Sequence, residues 1–276
     1  MTIINTNTNA LSVQNAYAIN QKEMAKAMSQ LSNGRRINQA SDDAAGLAIR
    51  NKMSAQILSL DQSVRNANDG ISMLQTADGA TAEVTSMLVR MRELAIQSAN
   101  DIYTDEQRDG LNAEVTELKA ELLNVLENTE WNGTKFLKGE AGDSGDVKFQ
   151  VGASTNDVIS LTLSDLSSNS DVAAIQNLDI STQTGANSAI NDVDLAIAHL
   201  DSERSMWGAV MNRLTHSADN AVNASLNTKA ARSRIDDADY AQVTAELART
   251  LILDQAGAAM LSQANQQPMY VLALLR

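Results

Sequence analysis

The run ALSVQNAYAINQKEMAKAMSQLSNG, residues 10–34, decides the fold. Ala10, Val13, Tyr17, Asn20, Met24, Ala27 and Leu31 alternate by three and four residues. That spacing lays one stripe along a helix. Asn20 is its single polar member, and a buried Asn in such a stripe fixes register at some cost in stability. Asn33-Gly34 stops the helix, because Gly readily takes the left-handed conformation of a C′ residue. A short helix cannot bury such a stripe alone and needs a partner.

The rest of the chain repeats this theme. Residues 1–9 are polar and Asn/Thr-rich, and are expected to be disordered in isolation. Residues 34–43 form an irregular connector ending in Ser41-Asp42-Asp43, which offers an N-cap. A long helix then runs to about Asn100, with the stripe Ile57, Leu60, Val64, Ala67, Ile71 and Leu74. The stripe shifts phase near Asp78-Gly79 and resumes at Ala80, Val84, Met87, Met91 and Leu94. Thr104 and Gln107 form a capping box for a helix carrying Leu111, Val115, Leu118, Leu122 and Val125, which ends before the turn Asn132-Gly133.

Residues 147–151 and 159–163 alternate with period two and predict a small β-hairpin. Residues 166–187 are Ser/Asn/Asp-rich and read as a loop with a short helical turn near Val172–Ile175. A second long helix spans about 189–232, with the stripe Ile190, Val193, Ile197, Leu200, Arg204, Trp207, Met211, Leu214 and Ala218. Asp236, Asp237 and Asp239 mark a second connector before a final helix, 241–264. There Val243, Leu247, Leu251, Ala258 and Leu261 share a face, interrupted by Asp254. Residues 269–276 are apolar except Arg276. The expected fold is mainly α: an elongated antiparallel long-helix bundle or coiled coil with a small β-hairpin at its tip. The stripes of the long helices are expected to form the core, and those of the end helices to face partner molecules.

Composition narrows the function. Of 276 residues, 43% are hydrophobic but only 3% aromatic, and Pro268 is the single proline. Ala, Leu, Ile, Val and Met supply the apolar surface, which suits long helices. The net charge is −13 and no basic run exceeds Arg35-Arg36, which argues against a nucleic-acid partner. There is no cysteine, so no disulfide or thiolate chemistry. The N-terminus lacks the features of a secretory signal peptide. No stretch approaches the roughly 18 apolar residues of a membrane helix.

Catalytic readings are weak. His199 and His216 are the only histidines and stand too far apart on one helix to share a metal. Asp42-Asp43 and Asp236-Asp237 lie where a helix begins or a connector turns, so capping accounts for them without acid–base or Mg²⁺ chemistry. No phosphate loop or Ser-His-Asp order is present. The expectation is a non-enzyme without cofactor or metal. Asn132-Gly133-Thr134 and Asn223-Ala224-Ser225 match a glycosylation sequon, the first as a turn and the second inside a helix.

The chain resembles bacterial flagellins in collinear blocks along nearly its whole length. These are Ile4-Asn5-Thr6-Asn7, Leu31-Ser32-Asn33-Gly34, Arg36-Ile37-Asn38, residues 42–49 (DDAAGLAI), 65–72 (RNANDGIS) and 92–100 (RELAIQSAN), then Ala231-Arg232-Ser233-Arg234-Ile235, Asp239-Tyr240, Gln255-Ala256-Gly257, Gln263-Ala264-Asn265-Gln266 and Leu274-Leu275-Arg276. The resemblance implies an inner core domain from 1–33 and 241–276, connectors at 34–43 and 233–240, and an outer core domain over 44–232. Only residues 166–187 stand where many flagellins insert large surface domains.

The function so implied is a structural subunit that polymerises through its terminal helices into the extracellular flagellar filament, giving motility. The expected polymerisation residues are Val13, Tyr17, Met24, Leu31, Val243, Leu247, Leu251 and Leu261. Alternatives are a hook–filament junction protein and a non-flagellar coiled-coil scaffold. The implied partners are further copies of the chain, an export chaperone at about 236–276, the flagellar type III export apparatus, and the filament cap and hook-associated proteins. Export would then proceed without a cleaved signal peptide. Toll-like receptor 5 is a further implied partner, through Arg90, Leu94 and Glu114. Val89 departs there from the polar residue frequent in the family.

Overall fold

The computed structural model describes residues 6–143 and 145–273. Six helices and one two-stranded sheet follow in the order α1 (Thr8–Asn33), α2 (Ala44–Ser98), α3 (Asp105–Asn128), β1 (Asp146–Gln150), β2 (Val158–Thr162), α4 (Ser170–Gln176), α5 (Gln183–Asp236) and α6 (Tyr240–Ala273). They group into two compact units, one of residues 1–55 with 227–276 and one of residues 56–226. The sequence blocks at residues 4–5 and 274–276, and most of the segment expected to be disordered, lie outside the described residues.

Several boundaries differ from expectation. α1 begins at Thr8, where the Asn7 side chain accepts from the Ala10 amide. α5 starts six residues early and continues through Asp236, so the break before α6 is confined to 237–239 rather than 233–240. α6 continues beyond residue 264 to Ala273.

The larger unit is held by two seams. On α2, Ile57, Met73 and Leu94 are buried beside a continuous row made by Leu60, Ser63, Ala67, Gly70, Leu74, Ala77, Thr81, Val84, Leu88, Met91, Ala95 and Ser98. Their spacing alternates three and four without a break, so the expected phase shift at Asp78-Gly79 does not occur. Ala77 and Thr81 carry the stripe past it, and the Thr81 hydroxyl donates to the Ala77 carbonyl at 2.7 Å. A repeat averaging 3.5 residues keeps one face turned to its partner over many turns. On α5, Ala186, Ala189, Val193, Ala196, Leu200, Trp207, Val210 and Leu214 are buried in the same rhythm. Ile190, Ile197 and Met211, assigned to the stripe from sequence, flank it.

The hairpin forms one residue earlier than its pattern suggests and pairs antiparallel, with Phe149 opposite Ile159 and Val147 opposite Leu161. Its place is not the end of the helices. The Asn66 amide donates to the Gln150 carbonyl at 3.0 Å. Phe149 fills the space a Cβ on Gly70 would occupy, with ring carbons 2.8 Å from it, so a larger residue there would displace the ring. The α2–α3 end is closed instead by the segment 178–182: the Ser98 hydroxyl and Lys119 ammonium donate to the Ile180 and Leu178 carbonyls at 2.6 and 2.7 Å. Residues 166–187 are therefore no free loop. Leu166, Val172, Ile175, Leu178 and Ile180 are all buried. Their dilution among Ser, Asn and Asp conceals them from a composition reading. The capping box is as expected, with the Gln107 amide donating to the Thr104 hydroxyl and the Thr104 amide to the Gln107 carboxamide.

Candidate assembly surface

α1 and α6 pack antiparallel along their stripes. The Asn7, Asn20 and Tyr240 side chains donate to the carbonyls of Ala264, Thr250 and Leu31 at 2.8, 2.9 and 3.3 Å. Asn20 is the register residue its position suggested: it is buried opposite Thr250, whose own hydroxyl donates to the Leu247 carbonyl. On α6 the inward positions are Val243, Leu247, Thr250, Asp254, Gly257, Leu261 and Ala264. Asp254 does not interrupt this seam; it accepts from Gln21 at 3.1 Å. Gly257 admits the Tyr17 ring, whose Cδ2 lies 3.0 Å from where a Cβ would stand.

Seven of the eight residues expected to face other molecules, Val13, Tyr17, Met24, Leu31, Val243, Leu247 and Leu261, are thus half-buried along the α1–α6 seam. Leu251 is not in it. It is 46% exposed, one position beyond the inward Thr250, and Ala258 is likewise exposed. A small polar Thr takes the inward position because it satisfies its hydroxyl within its own helix. The surface left open is a different apolar set: Leu11, Ile19 and Met28 on α1, and Leu251, Ile252, Leu253 and Met260 on α6. This second set lies off the three-four rhythm, so the periodicity of the sequence does not reveal it.

The connectors lock the base of the pair. The Arg36 amide donates to the Asp236 carbonyl and the Ala238 amide to the Gly34 carbonyl, at 2.6 and 3.0 Å. The Asp236 carboxylate is buried against Arg50 at 3.2 Å and Arg35 at 3.6 Å. Asp42 accepts from Lys26 and from the Asn38 and Gln39 amides. The hydrogen bond from Lys26, then that from Gln39, hold its carboxyl below the usual carboxylate range. Asp43 caps α2 by accepting from the Gly46 amide at 2.8 Å, and Gly46 leaves room for Asp43 and the buried Ile37.

In the larger unit Arg90 lies 2.9 Å from Glu114 and 3.0 Å from Glu93, and the hydrogen bond it donates to Glu114 raises its pKa further. Leu94 does not join them on the surface. It is 1% exposed and belongs to the α2 seam, whereas Val89, at 45%, is open. His199 and His216 both stand on α5. Among the described residues, no three His, Cys, Asp or Glu side chains are grouped to hold a metal, and no helix is long and apolar enough to cross a membrane.

Comparisons with known proteins agree with this architecture. The family model for the bacterial flagellin N-terminal helical region matches residues 4–141, and that for the C-terminal helical region matches residues 190–275. A flagellin of Halalkalibacterium halodurans is 46% identical, over 99% of this chain and 100% of the relative. A flagellin of Bacillus subtilis is 37% identical, over 99% of each chain. The crystal structure of Bacillus cereus flagellin superposes with a TM-score of 0.51 at 31% identity, covering 57% of this chain and 88% of that one. With two helical regions matched and a full-length relative at this identity, the chain belongs to the bacterial flagellin family and is a structural subunit of the flagellar filament.

Proposed function

We propose that the subunit polymerises through the α1–α6 pair, with a division of labour between its faces. Val13, Tyr17, Met24, Leu31, Val243, Leu247 and Leu261 hold the two helices together. Leu11, Ile19, Met28, Leu251, Ile252, Leu253 and Met260 meet neighbouring copies. The observation that carries this reading is the run of exposed apolar side chains on both terminal helices. Burying them against another copy supplies roughly 25 cal/mol per Å². Inner core segments 1–33 and 241–276, and an outer core over 44–232, are the domains assigned within this reading, whereas the two compact units divide after residues 55 and 226.

The same exposed face on α6 favours an export chaperone that covers about 236–276 before assembly, since open apolar helices invite premature association. Type III export without a cleaved signal peptide, and contacts with cap and hook-associated proteins at the filament ends, complete the proposed life cycle. A patch of Arg90 and Glu114, without Leu94, is the proposed contact for Toll-like receptor 5. Electron microscopy of the purified chain at raised salt tests the central reading. Long uniform filaments are expected from the full chain and none from a chain lacking 1–33 or 241–276. Normal filaments from either truncation would refute it.

A further inference from the structure

We infer that Met28 and Met260 are oxidation sites on the assembly surface, and that hydrogen peroxide converts the free subunit into an assembly-defective methionine-sulfoxide form. The inference rests on the reading of the open α1 and α6 faces as the contact between copies.

The methionines of the chain fall into distinct surroundings. Met73 and Met91 are buried in the core of the larger unit, and Met24 is half-buried in the α1–α6 seam. Met28 and Met260 stand immediately beside the seam but outside it, 56% and 59% exposed. Each flanks inward residues, Met28 next to Ala27 and Met260 next to Leu261. Met206, 43% exposed on α5, belongs to the other unit and serves as an internal comparison.

An exposed thioether is a soft nucleophile. Its sulfur attacks one peroxide oxygen, the S–O bond forms as the O–O bond breaks, and the departing hydroxide takes the proton of the transferred oxygen. The sulfur loses two electrons to become the sulfoxide, and the peroxide is reduced to water. The product is a polar side chain where the parent was flexible and apolar. In a free subunit such a group stays hydrated at no cost. In a contact between copies it must be buried, which lowers the affinity of the subunit for the filament end. Once the contact has formed, the sulfur is covered and peroxide cannot reach it. The oxidation state of these two residues therefore controls addition of new subunits and leaves existing filament intact.

The test treats purified full-length monomer, and separately preformed filament, with the same hydrogen peroxide. Peptide mass spectrometry reads sulfoxide at Met28, Met260 and Met206, and sedimentation reads the critical concentration for assembly. The expected results are sulfoxide at Met28 and Met260 in monomer but not in filament, and a critical concentration raised about tenfold after monomer oxidation. A Met28→Leu, Met260→Leu double variant keeps apolar surfaces of similar volume, and its own critical concentration, whatever its value before treatment, is expected to be the same after peroxide, although its Met206 is still oxidised. Equal loss of assembly in the double variant, or equal oxidation of both residues in filament, overturns the inference. Ile252→Asp, at an exposed position without sulfur, separates the inference from its premise. If it blocks assembly while the oxidised parent assembles normally, the surface stands and the oxidation proposal falls. If it assembles normally, the surface reading falls and takes the proposal with it.

Discussion

Arg204 Nε donates to Asp78 Oδ1 at 2.7 Å, joining α5 to α2 at the level of the buried residues Ala77 and Thr81. The hydrogen bond donated to Asp78 holds the guanidinium pKa above its ordinary value. Both side chains remain about one-third exposed. The ion pair lies on the flank of the seam, and the small residues beneath it keep the two helices in contact. Solvent screens such a pair, so the apolar seam and not the charge dominates the local energetics.

Asp78→Ala should accordingly cost no more than about 1 kcal/mol, and less at high salt. Leu88→Ala, at a fully buried seam position, should cost about 2–5 kcal/mol. Urea denaturation of both variants measures the difference. Equal losses would mean that the ion pair, not the seam, holds this stretch of the helices together.

The residues of the α1–α6 and α2 seams explain what a sequence yields and what it hides. Val13, Tyr17, Asn20, Met24 and Leu31 are legible because large or diagnostic side chains fall on the three-four rhythm. Thr104 with Gln107 is legible because capping is local chemistry. Ser63, Gly70 and Thr81 on α2 and Thr250 on α6 are not. Small residues turn inward there, and a hydropathy count passes over them. Their omission produced the false phase shift at Asp78-Gly79 and the inward placement of Leu251. The open face of Leu11, Ile19, Met28, Ile252 and Met260 was hidden for the opposite reason. It has no rhythm of its own, and only the position of the seam shows which apolar residues are left over. Leu94 carried the same difficulty, since its spacing from Arg90 fits either a surface neighbour or a seam residue.

Asp236→Asn should loosen the junction of the two connectors. The carboxylate is buried between Arg50 and Arg35, and removing one partner of a buried pair leaves the other charge uncompensated, at about 3–5 kcal/mol. Arg35 is exposed and can turn to solvent, which places the expected loss at the lower end. Thermal unfolding monitored by circular dichroism reads it. A melting temperature equal to the parent's would show that the backbone bonds from Arg36 and Ala238 suffice alone.

Asp42 gives a pH dependence with a definite sign. Its folded pKa lies below the ordinary 3.8, chiefly through the hydrogen bond from Lys26. A depressed folded pKa means stabilisation that is present above the unfolded value and lost as pH falls through the folded value. The parent should therefore be more stable than Asp42→Asn at neutral pH, and the gap should close below about pH 3.8. Denaturation of both proteins across that range decides it. A gap that stays constant with pH would mean that the charge of Asp42 is irrelevant and only its hydrogen-bond geometry counts.

Leu247 and Leu251 are one helical turn apart on α6, yet they should respond differently to the same substitution. Leu247 faces α1 in the seam, half-buried, whereas Leu251 is turned outward. A carboxylate at 247 is forced against the apolar side chains of α1 and loses its water, which is unfavourable unless it is paired. Leu247→Asp should separate the terminal helices, lowering helix content in the free subunit and abolishing assembly together. Leu251→Asp places the charge in solvent, so the free subunit should keep its helix content and melting temperature. It should fail only when a second copy must cover that face, where the same desolvation cost then applies. Circular dichroism of the monomer and sedimentation under assembly conditions give the two readings independently. Loss of helix in both variants would place Leu251 in the intramolecular seam after all, and normal assembly of Leu251→Asp would remove it from the contact between subunits.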